Sequence, residues 1–200
     1  LAGSPAVRVY AESIRLDDPA QVSDDQCFIT LRHANGSISN IGYLAGGDKA
    51  FCAGADLKWI ASQDFDSAYR GNLAAYMDQV AKLRKPVVAA VRGFAFGGGT
   101  EIALMCDIII ADSTAKFALP EVTLGVIPGG GGPARLTRAV GKAKAMYYIL
   151  SGKPFSAEEA ERIGMITKVV EDGELLNEAM SIARATQRRG QTKEQTKLIA

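Results

Sequence analysis

The stretch AFGGGTE, residues 95–101, constrains the fold more than any other part of the chain. Three consecutive glycines follow an apolar segment and lead into Glu101, which further apolar residues follow. Glycine weakens helices and strands because it loses the most conformational entropy on ordering. Without a side chain, however, its backbone N–H can approach a ligand, and a helix that begins there adds unpaired N–H donors. The stretch predicts an oxyanion-binding turn between a strand and a helix. The alternative is a helix start in which the dipole alone favours the glutamate.

Two further glycine-rich segments support the oxyanion interpretation. AFCAGADLK (50–58) is a second run of small residues that enters a helix, so each of two loops can donate one N–H to the same oxygen. LPEVTLGVIPGGGG (119–132) places another glutamate, Glu121, among apolar neighbours. Burial raises the pKa of a carboxyl group, which suits a pair of glutamates to acid and base chemistry near neutral pH. We expect Glu101 and Glu121 to meet across a cleft.

Composition excludes several other functions. Of 200 residues, 23 are Lys or Arg and 22 are Asp or Glu, so the net charge of +1 creates no field that attracts nucleic acid or an anionic membrane. The single histidine, His33, lies in a polar stretch and is interpreted as a solvated loop residue, which leaves no basis for a Ser-His-Asp triad or a His-ligated zinc site. Three cysteines without metal-like spacing (Cys27, Cys52 and Cys106) suit a reducing intracellular compartment. Glycine-rich nucleotide-binding motifs are missing.

Hydrophobic periodicity predicts a mixed α/β chain. We expect residues 1–24 to be irregular, residues 34–40 to form turns and the charged tail to be a solvated face at 187–197. Predicted strands lie at 27–33, 86–91, 106–112 and 115–119. Predicted helices begin near residue 55 and occupy 66–84, 133–150, 157–163 and 175–184. Ser156, followed by an acidic first turn, is a good N-cap for the helix at 157–163.

Four motifs then point to a family. In chain order they are GGDKAFCAGADLK, KPVVAAVRGFAFGGGTEIALMCDIIIAD, AKFALPEVTLGVIPGGGGPARLTRAVG and SAEEAERIGMI. Together they resemble the enoyl-CoA hydratase/isomerase (crotonase) superfamily, nearest to its enoyl-CoA and methylglutaconyl-CoA hydratase branch. The resemblance covers residues 43–185. It implies a crotonase-like spiral of ββα units over residues 1–150 and a small, incomplete C-terminal helical region over residues 151–200. It further implies an acyl-CoA thioester substrate and assembly as a homotrimer or homohexamer.

The resemblance also assigns residues to roles. It places oxyanion-hole amides on Ala55 and Gly98, the two hydratase carboxylates on Glu101 and Glu121, and a water-positioning amide on Gly129. Residues that would cradle the CoA adenine and phosphates are Ala53, Asp56 and Lys58. The implied reaction adds water across the C2=C3 bond of a trans-2-enoyl-CoA. It needs no metal and no cofactor, because coenzyme A enters as part of the substrate.

Several alternatives remain open at this point. Enoyl-CoA isomerases usually keep one of the two carboxylates, and RNA binding accompanies some methylglutaconyl-CoA hydratases. A non-enzymatic structural member or a glycosidase-like carboxylate pair is a more distant possibility. The acyl pocket is equally open, since ordinary core packing is the favoured interpretation of its candidate residues (Trp59, Met77, Phe96 and Leu124). The expected location is the mitochondrial matrix in a eukaryote and the cytoplasm in a bacterium.

The chain also departs from the family pattern. Its stretch ITLRHANGSISNIGYL is too short for the customary first helix, and most C-terminal helices are missing. Either the protein is a truncated member or residues have been omitted from the sequence, and the second interpretation is favoured because loss of that helix would expose core. Some contacts to CoA and to the acyl chain therefore lack assigned residues.

Overall fold

The computed structural model describes residues 6–13, 26–33, 38–46, 49–55, 57–66, 77, 80–81, 86–189 and 197–199. The strands are β1 (Ala6–Ser13), β2 (Gln26–His33), β3 (Ile38–Gly46), β4 (Ala50–Gly54), β5 (Val87–Val91), β6 (Phe94–Phe96), β7 (Ile108–Asp112), β8 (Lys116–Ala118), β9 (Phe155–Ser156), β10 (Lys168–Val170) and β11 (Lys197–Ile199). The helices are α1 (Leu57–Ala61), α2 (Gly98–Met105), α3 (Gly132–Val140), α4 (Lys142–Ser151), α5 (Ala157–Arg162) and α6 (Leu175–Arg189), with a 3-10 helix at Pro120–Leu124.

The strands form two sheets within the described residues. One sheet has the order β1-β2-β3-β4-β6-β8-β9, and the other has the order β10-β7-β5-β11. Strands β4, β6 and β8 run parallel, with Ala95 opposite Phe117. Strands β5 and β7 are also parallel, with Ala89 opposite Ile109. Parallel neighbours need crossover connections, and helices supply them here.

The chain alternates between the sheets as a spiral. Strand β5 lies in the second sheet, β6 in the first, and α2 follows; then β7 lies in the second sheet, β8 in the first, and the 3-10 helix follows. Each turn therefore contributes one strand to each sheet and then a helical segment. This arrangement confirms the α/β class and the crotonase-like spiral of ββα units. The boundary near residue 150 between core and C-terminal region stays a prediction.

The core lies between the sheets and around α2. Every residue of β5 is buried, as expected for a parallel strand covered on both faces. Helix α2 is itself almost wholly enclosed, and the side chains of Ile102, Phe117 and Leu136 pack in the same apolar cluster. The N-terminus of α2 is consequently fixed by its surroundings, which matters for the site that begins there.

The structure corrects parts of the sequence-based assignment. Residues 1–24, expected to be irregular, contain β1, and β3 overlaps the turn expected at 34–40. The loop expected around residues 50–54 is strand β4, which pairs with β3 and β6. The helix expected at 133–150 is two helices, because Gly141 adopts a φ of 78° between them. Long-range pairing and one glycine override the local patterns.

Of the other assignments, some are confirmed and some lie outside the described residues. Strand β5 and helix α5 confirm the segments predicted at 86–91 and 157–163. Most of the helix predicted at 66–84 lies outside the described residues, although Met77 and Val80 are helical and buried. The tail at 187–197 begins inside α6 and ends in β11, and its interpretation as a solvated face stays a prediction. None of the described helices combines the length and apolar character that a membrane span requires.

Candidate active site

The glycine run forms a tight turn from β6 into α2. Gly97 is the N-cap, with a φ of 53°, and its N–H donates to the carbonyl oxygen of Ala118 at 2.8 Å. Gly98 is the first residue of α2, so its N–H has no acceptor within the helix. The hydroxyl oxygen of buried Thr100 lies 2.8 Å from the Ala118 carbonyl oxygen and also contacts that of Ala95. These contacts fix the start of α2 at the ends of β6 and β8.

The second glycine-rich segment meets this turn at the end of β4. A Cβ on Gly54 would lie 3.4 Å from the Gly98 nitrogen and 2.9 Å from the Phe96 carbonyl oxygen. A Cβ on Gly99 would collide with the carbonyl oxygen of Cys52. Glycines are therefore required on both sides of the contact. Ala55, the residue after Gly54, is half-buried, and its oxyanion role beside Gly98 stays a prediction.

Glu101 lies one helical turn into α2 and is only 3% exposed. Its Oε1 accepts a hydrogen bond from the Gly132 N–H at 2.8 Å. A Cβ on Gly130 would lie 2.6 Å from its Oε2, so the glycine turn before α3 closes around the carboxyl group. Burial raises the pKa of Glu101, while the backbone N–H groups of Gly132 and Gly130 and the charge of Arg135 oppose that rise. The site encloses the carboxyl group, and the effect of burial on its pKa outweighs that of the groups that stabilise the ionised form.

Glu121, on the 3-10 helix, approaches the other glycine turn, at Gly97 before α2. A Cβ on Gly97 would lie 3.0 Å from Glu121 Oε1. Its Oε2 is buried and has no hydrogen-bond partner in the described part of the chain. Burial raises the pKa of Glu121, and the negative charge of Glu101 raises it further. The protonated form of Glu121 is therefore favoured more than it would be in water.

The remaining predicted site residues are less closely connected. Gly129 is exposed, and a Cβ there would meet nothing within 4 Å. Ala53 on β4 and Lys58 on α1 are both exposed, and Asp56 lies outside the described residues. Their roles stay predictions.

Among the candidate acyl-pocket residues, Met77 is buried, and a Cβ on Gly130 would approach its Cε to 2.6 Å. Phe96 is half-buried, whereas Leu124 is 54% exposed, which excludes a core position for Leu124 in the described structure. The side chain of Trp59 lies outside the described residues.

Sequence reasoning missed three residues around Glu101. Gly130 and Gly132 form the glycine turn at its carboxyl group, and Arg135 donates from Nη1 to the Gly130 carbonyl oxygen at 2.7 Å. The sequence did contain part of the signal for this turn. Four consecutive glycines are more than a single water-positioning amide requires. Nothing in the local sequence joins them to Glu101, which lies 31 residues before Gly132.

The arrangement can polarise a carbonyl and transfer protons beside it. The N–H of Gly98, at the start of α2, has no acceptor within the helix and can donate to an oxygen that gains charge. The Glu101 carboxyl group lies against the turn of Gly130 to Gly132 and Glu121 lies against the turn at Gly97, and the charge of Glu101 acts on Glu121. Groups of three or more metal-ligating side chains do not occur among the described residues.

Comparison with known proteins places the chain among its relatives. The sequence pattern of the family described as enoyl-CoA hydratase/isomerase matches residues 25–197. A probable enoyl-CoA hydratase of Rhizobium meliloti is 56% identical over 140 residues, which cover 70% of this chain and 54% of that protein. The mitochondrial enoyl-CoA hydratase of Pongo abelii is 47% identical over 140 residues, covering 70% and 48%.

A solved structure extends the likeness to the fold. The crystal structure of an enoyl-CoA hydratase from Bacillus anthracis aligns with a TM-score of 0.69 at 40% identity, covering 73% of this chain and 57% of that one. The chain spans about half the length of the relatives it matches.

Proposed function

The chain belongs to the enoyl-CoA hydratase/isomerase family, and from that premise we propose that it adds water across the C2=C3 bond of a trans-2-enoyl-CoA thioester. The observation that carries the proposal is the electrostatic coupling of two carboxyl groups: Glu101, buried against the turn of Gly130 to Gly132, and half-buried Glu121, whose Oε1 lies against Gly97. Relatives that carry the name enoyl-CoA hydratase at up to 56% identity support it. Two proton-handling groups favour hydration over double-bond isomerisation.

The amides of Ala55 and Gly98 would hold the thioester oxygen. As water adds at C3, charge moves from the double bond to this oxygen, and an enolate forms. Donors that are already fixed in place stabilise the enolate more than the ground state, which lowers the barrier. The contact between Gly54 and Gly98 keeps the two donors close together.

The neighbours of the two carboxyl groups suggest their roles. Burial raises the pKa of Glu101, but the Gly132 N–H and the charge of Arg135 oppose that rise, so we assign Glu101 the role of the base. Glu121 has a buried oxygen without a described partner and faces the charge of Glu101, which favours the protonated form needed in an acid. Glu101 would take a proton from the attacking water while Glu121 delivers one to C2. The product is a 3-hydroxyacyl-CoA.

Further parts of the proposal rest on the family. Ala53, Asp56 and Lys58 would contact the CoA moiety, and the Gly129 amide would help to place the water. No cofactor beyond the CoA of the substrate is required. We propose a homotrimer or homohexamer that acts inside the cell, in the mitochondrial matrix if the source is a eukaryote.

The test is a hydration assay on this chain with short, long and branched enoyl-CoA thioesters. Loss of the conjugated thioester absorbance measures the reaction, and labelled solvent oxygen in the product confirms addition of water. A parallel assay with 3-enoyl-CoA substrates measures isomerisation. Hydration that exceeds isomerisation supports the proposal, whereas isomerisation alone, or no turnover with any of the thioesters, contradicts it.

A further inference from the structure

Arg135 lies in the curve of the glycine turn that precedes α3. Its Nη1 donates to the Gly130 carbonyl oxygen at 2.7 Å, and its backbone N–H donates to the Gly131 carbonyl oxygen at 3.1 Å. Gly131 adopts a φ of 88°, and a Cβ there would collide with Nη1 of Arg135. The turn and the guanidinium are thus fitted to each other, and a side chain at position 131 would separate them.

The other side of the same turn contacts Glu101. The Gly132 N–H donates to Glu101 Oε1 at 2.8 Å, and the space where a Cβ of Gly132 would lie is 2.9 Å from Glu101 Cγ. The carbonyl oxygen of Gly130 accepts the hydrogen bond from Arg135, and the space where a Cβ of Gly130 would lie is 2.6 Å from Oε2 of the same carboxyl group. The turn is therefore a layer one residue thick between the guanidinium and the carboxylate.

We propose that Arg135 is a positioning residue for the hydration reaction, holding the turn of Gly130 to Gly132 against Glu101 and so fixing the orientation of that carboxylate. The inference rests on the proposed function, because it concerns the group that takes the proton from water. Arg135 itself contacts the turn and acts through it. A displacement of about 1 Å in a catalytic group can cost about a hundredfold in rate, so the anchoring of the turn matters.

Charge gives the proposal a second consequence. The charged group that acts on the pKa of Glu101 from the described part of the chain is Arg135 on α3, which lowers it, while Glu101 itself raises the pKa of Glu121 on the 3-10 helix. Removing the guanidinium leaves the effect of burial on Glu101 less opposed. The pKa of Glu101 then rises, and its ionised form requires a higher pH.

Arg135→Gln tests the proposal, with Arg138→Gln as the matched control. Arg138 is exposed in the last turn of the same helix. For Arg135→Gln we expect kcat to fall about 10- to 100-fold, as displacement of a catalytic group predicts. We also expect KM to stay nearly constant and the acidic limb of the kcat profile to move to higher pH. Arg138→Gln leaves all three unchanged. A wild-type kcat and profile in folded Arg135→Gln, or a lowered kcat with an unmoved profile, overturns the proposal.

Arg135→Lys keeps the test informative if Arg135→Gln does not fold. It retains the charge but not the planar donor geometry, so we expect the pH profile to stay near that of wild type while kcat remains reduced. Wild-type kcat in Arg135→Lys rejects the anchoring role.

Titration of the Glu101 carboxyl carbon by NMR separates this inference from the proposed function. The role of Arg135 is supported if the pKa of Glu101 is higher in Arg135→Gln, or if the Gly132 amide resonance is displaced in Arg135→Lys. Either result supports it even if the chain hydrates no enoyl-CoA. An unchanged carboxyl titration and an unchanged amide resonance contradict it even if hydration is confirmed.

Discussion

The N–H of Gly132 donates a hydrogen bond of 2.8 Å to Oε1 of Glu101, across 31 residues of sequence. The bond joins the first turn of α2 to the first residue of α3, and the charge of Glu101 also acts on Glu121. It gives a nearly inaccessible carboxylate one directed donor. Burial still raises the pKa of Glu101, although the hydrogen bond from Gly132 makes that rise smaller.

Glu101→Gln and Glu121→Gln should each lower kcat by about 10²–10⁴, the usual contribution of a positioned acid or base. KM should change little, because the amide keeps the shape of the carboxyl group. Steady-state kinetics on the preferred thioester measures both parameters. Glu171→Gln, at an exposed position outside the cleft, is the control and should retain wild-type activity. Near wild-type turnover in either site variant would show that one carboxylate suffices.

Gly98→Ala should lower kcat at least about a hundredfold while the protein stays folded, because losing one oxyanion donor costs about 3 kcal/mol. Gly98 is the first helical residue, and the left-handed conformation belongs to its neighbour Gly97, with a φ of 53°. A methyl group at position 98 therefore affects the ligand more than the backbone. Kinetics and thermal melting of the same preparation measure the two effects.

Gly97→Ala is the contrasting variant. Its Cβ would approach Glu121 Oε1 to 3.0 Å, and a left-handed conformation costs a residue with a Cβ about 1–2 kcal/mol. We expect a lowered melting temperature for this variant only. Unfolding of Gly98→Ala, or hydration at the original rate, would reject the oxyanion role of Gly98.

Glu121→Gln should stabilise the protein at neutral pH. The pKa of Glu121 in the folded state lies above its ordinary value of 4.5, because burial and the charge of Glu101 disfavour ionisation. The contribution of Glu121 to stability is therefore fully present below its unfolded pKa and is lost as pH rises through its folded pKa. The neutral amide does not undergo this loss.

Thermal melting across the acidic and neutral range checks the prediction. The difference in melting temperature between Glu121→Gln and the unmodified protein should be small at about pH 4 and grow toward about pH 8. Glu171→Gln serves again as the control. A difference that shrinks with rising pH would mean that the protein stabilises the ionised form of Glu121.

The chain should form trimers or hexamers, as its family resemblance implies. Large apolar side chains are exposed on the 3-10 helix, on the segment after it and on α4, including Leu124 at 54%, Ile127 at 85% and Leu150 at 63%. Obligate interfaces bury more than about 2,000 Å² and are apolar. Light scattering at micromolar concentration measures the assembly, and a monomer there would contradict the prediction.

The sequence by itself determined the local structures that depend on neighbouring residues. The apolar run of β5 predicted a buried strand, since each of its residues can be covered on both faces. Ser156 predicted a helix start, and its Oγ accepts the Glu159 N–H at 3.3 Å as an N-cap should. The glycines before Glu101 predicted a strand-to-helix turn, because only residues without a side chain tolerate that approach of backbones.

Only the tertiary structure decided which distant groups meet. Strand β4 was expected to be a loop, since its small residues carry little strand signal, and pairing with β3 and β6 makes it a strand. Local spacing also carries no information on the contact of Glu101 with Gly132, which depends on how successive turns of the spiral stack. The sequence therefore supplied the carboxylates and the glycines as chemical types. The stacking of the spiral gave each carboxyl group its neighbours, and with them a different preference for its proton.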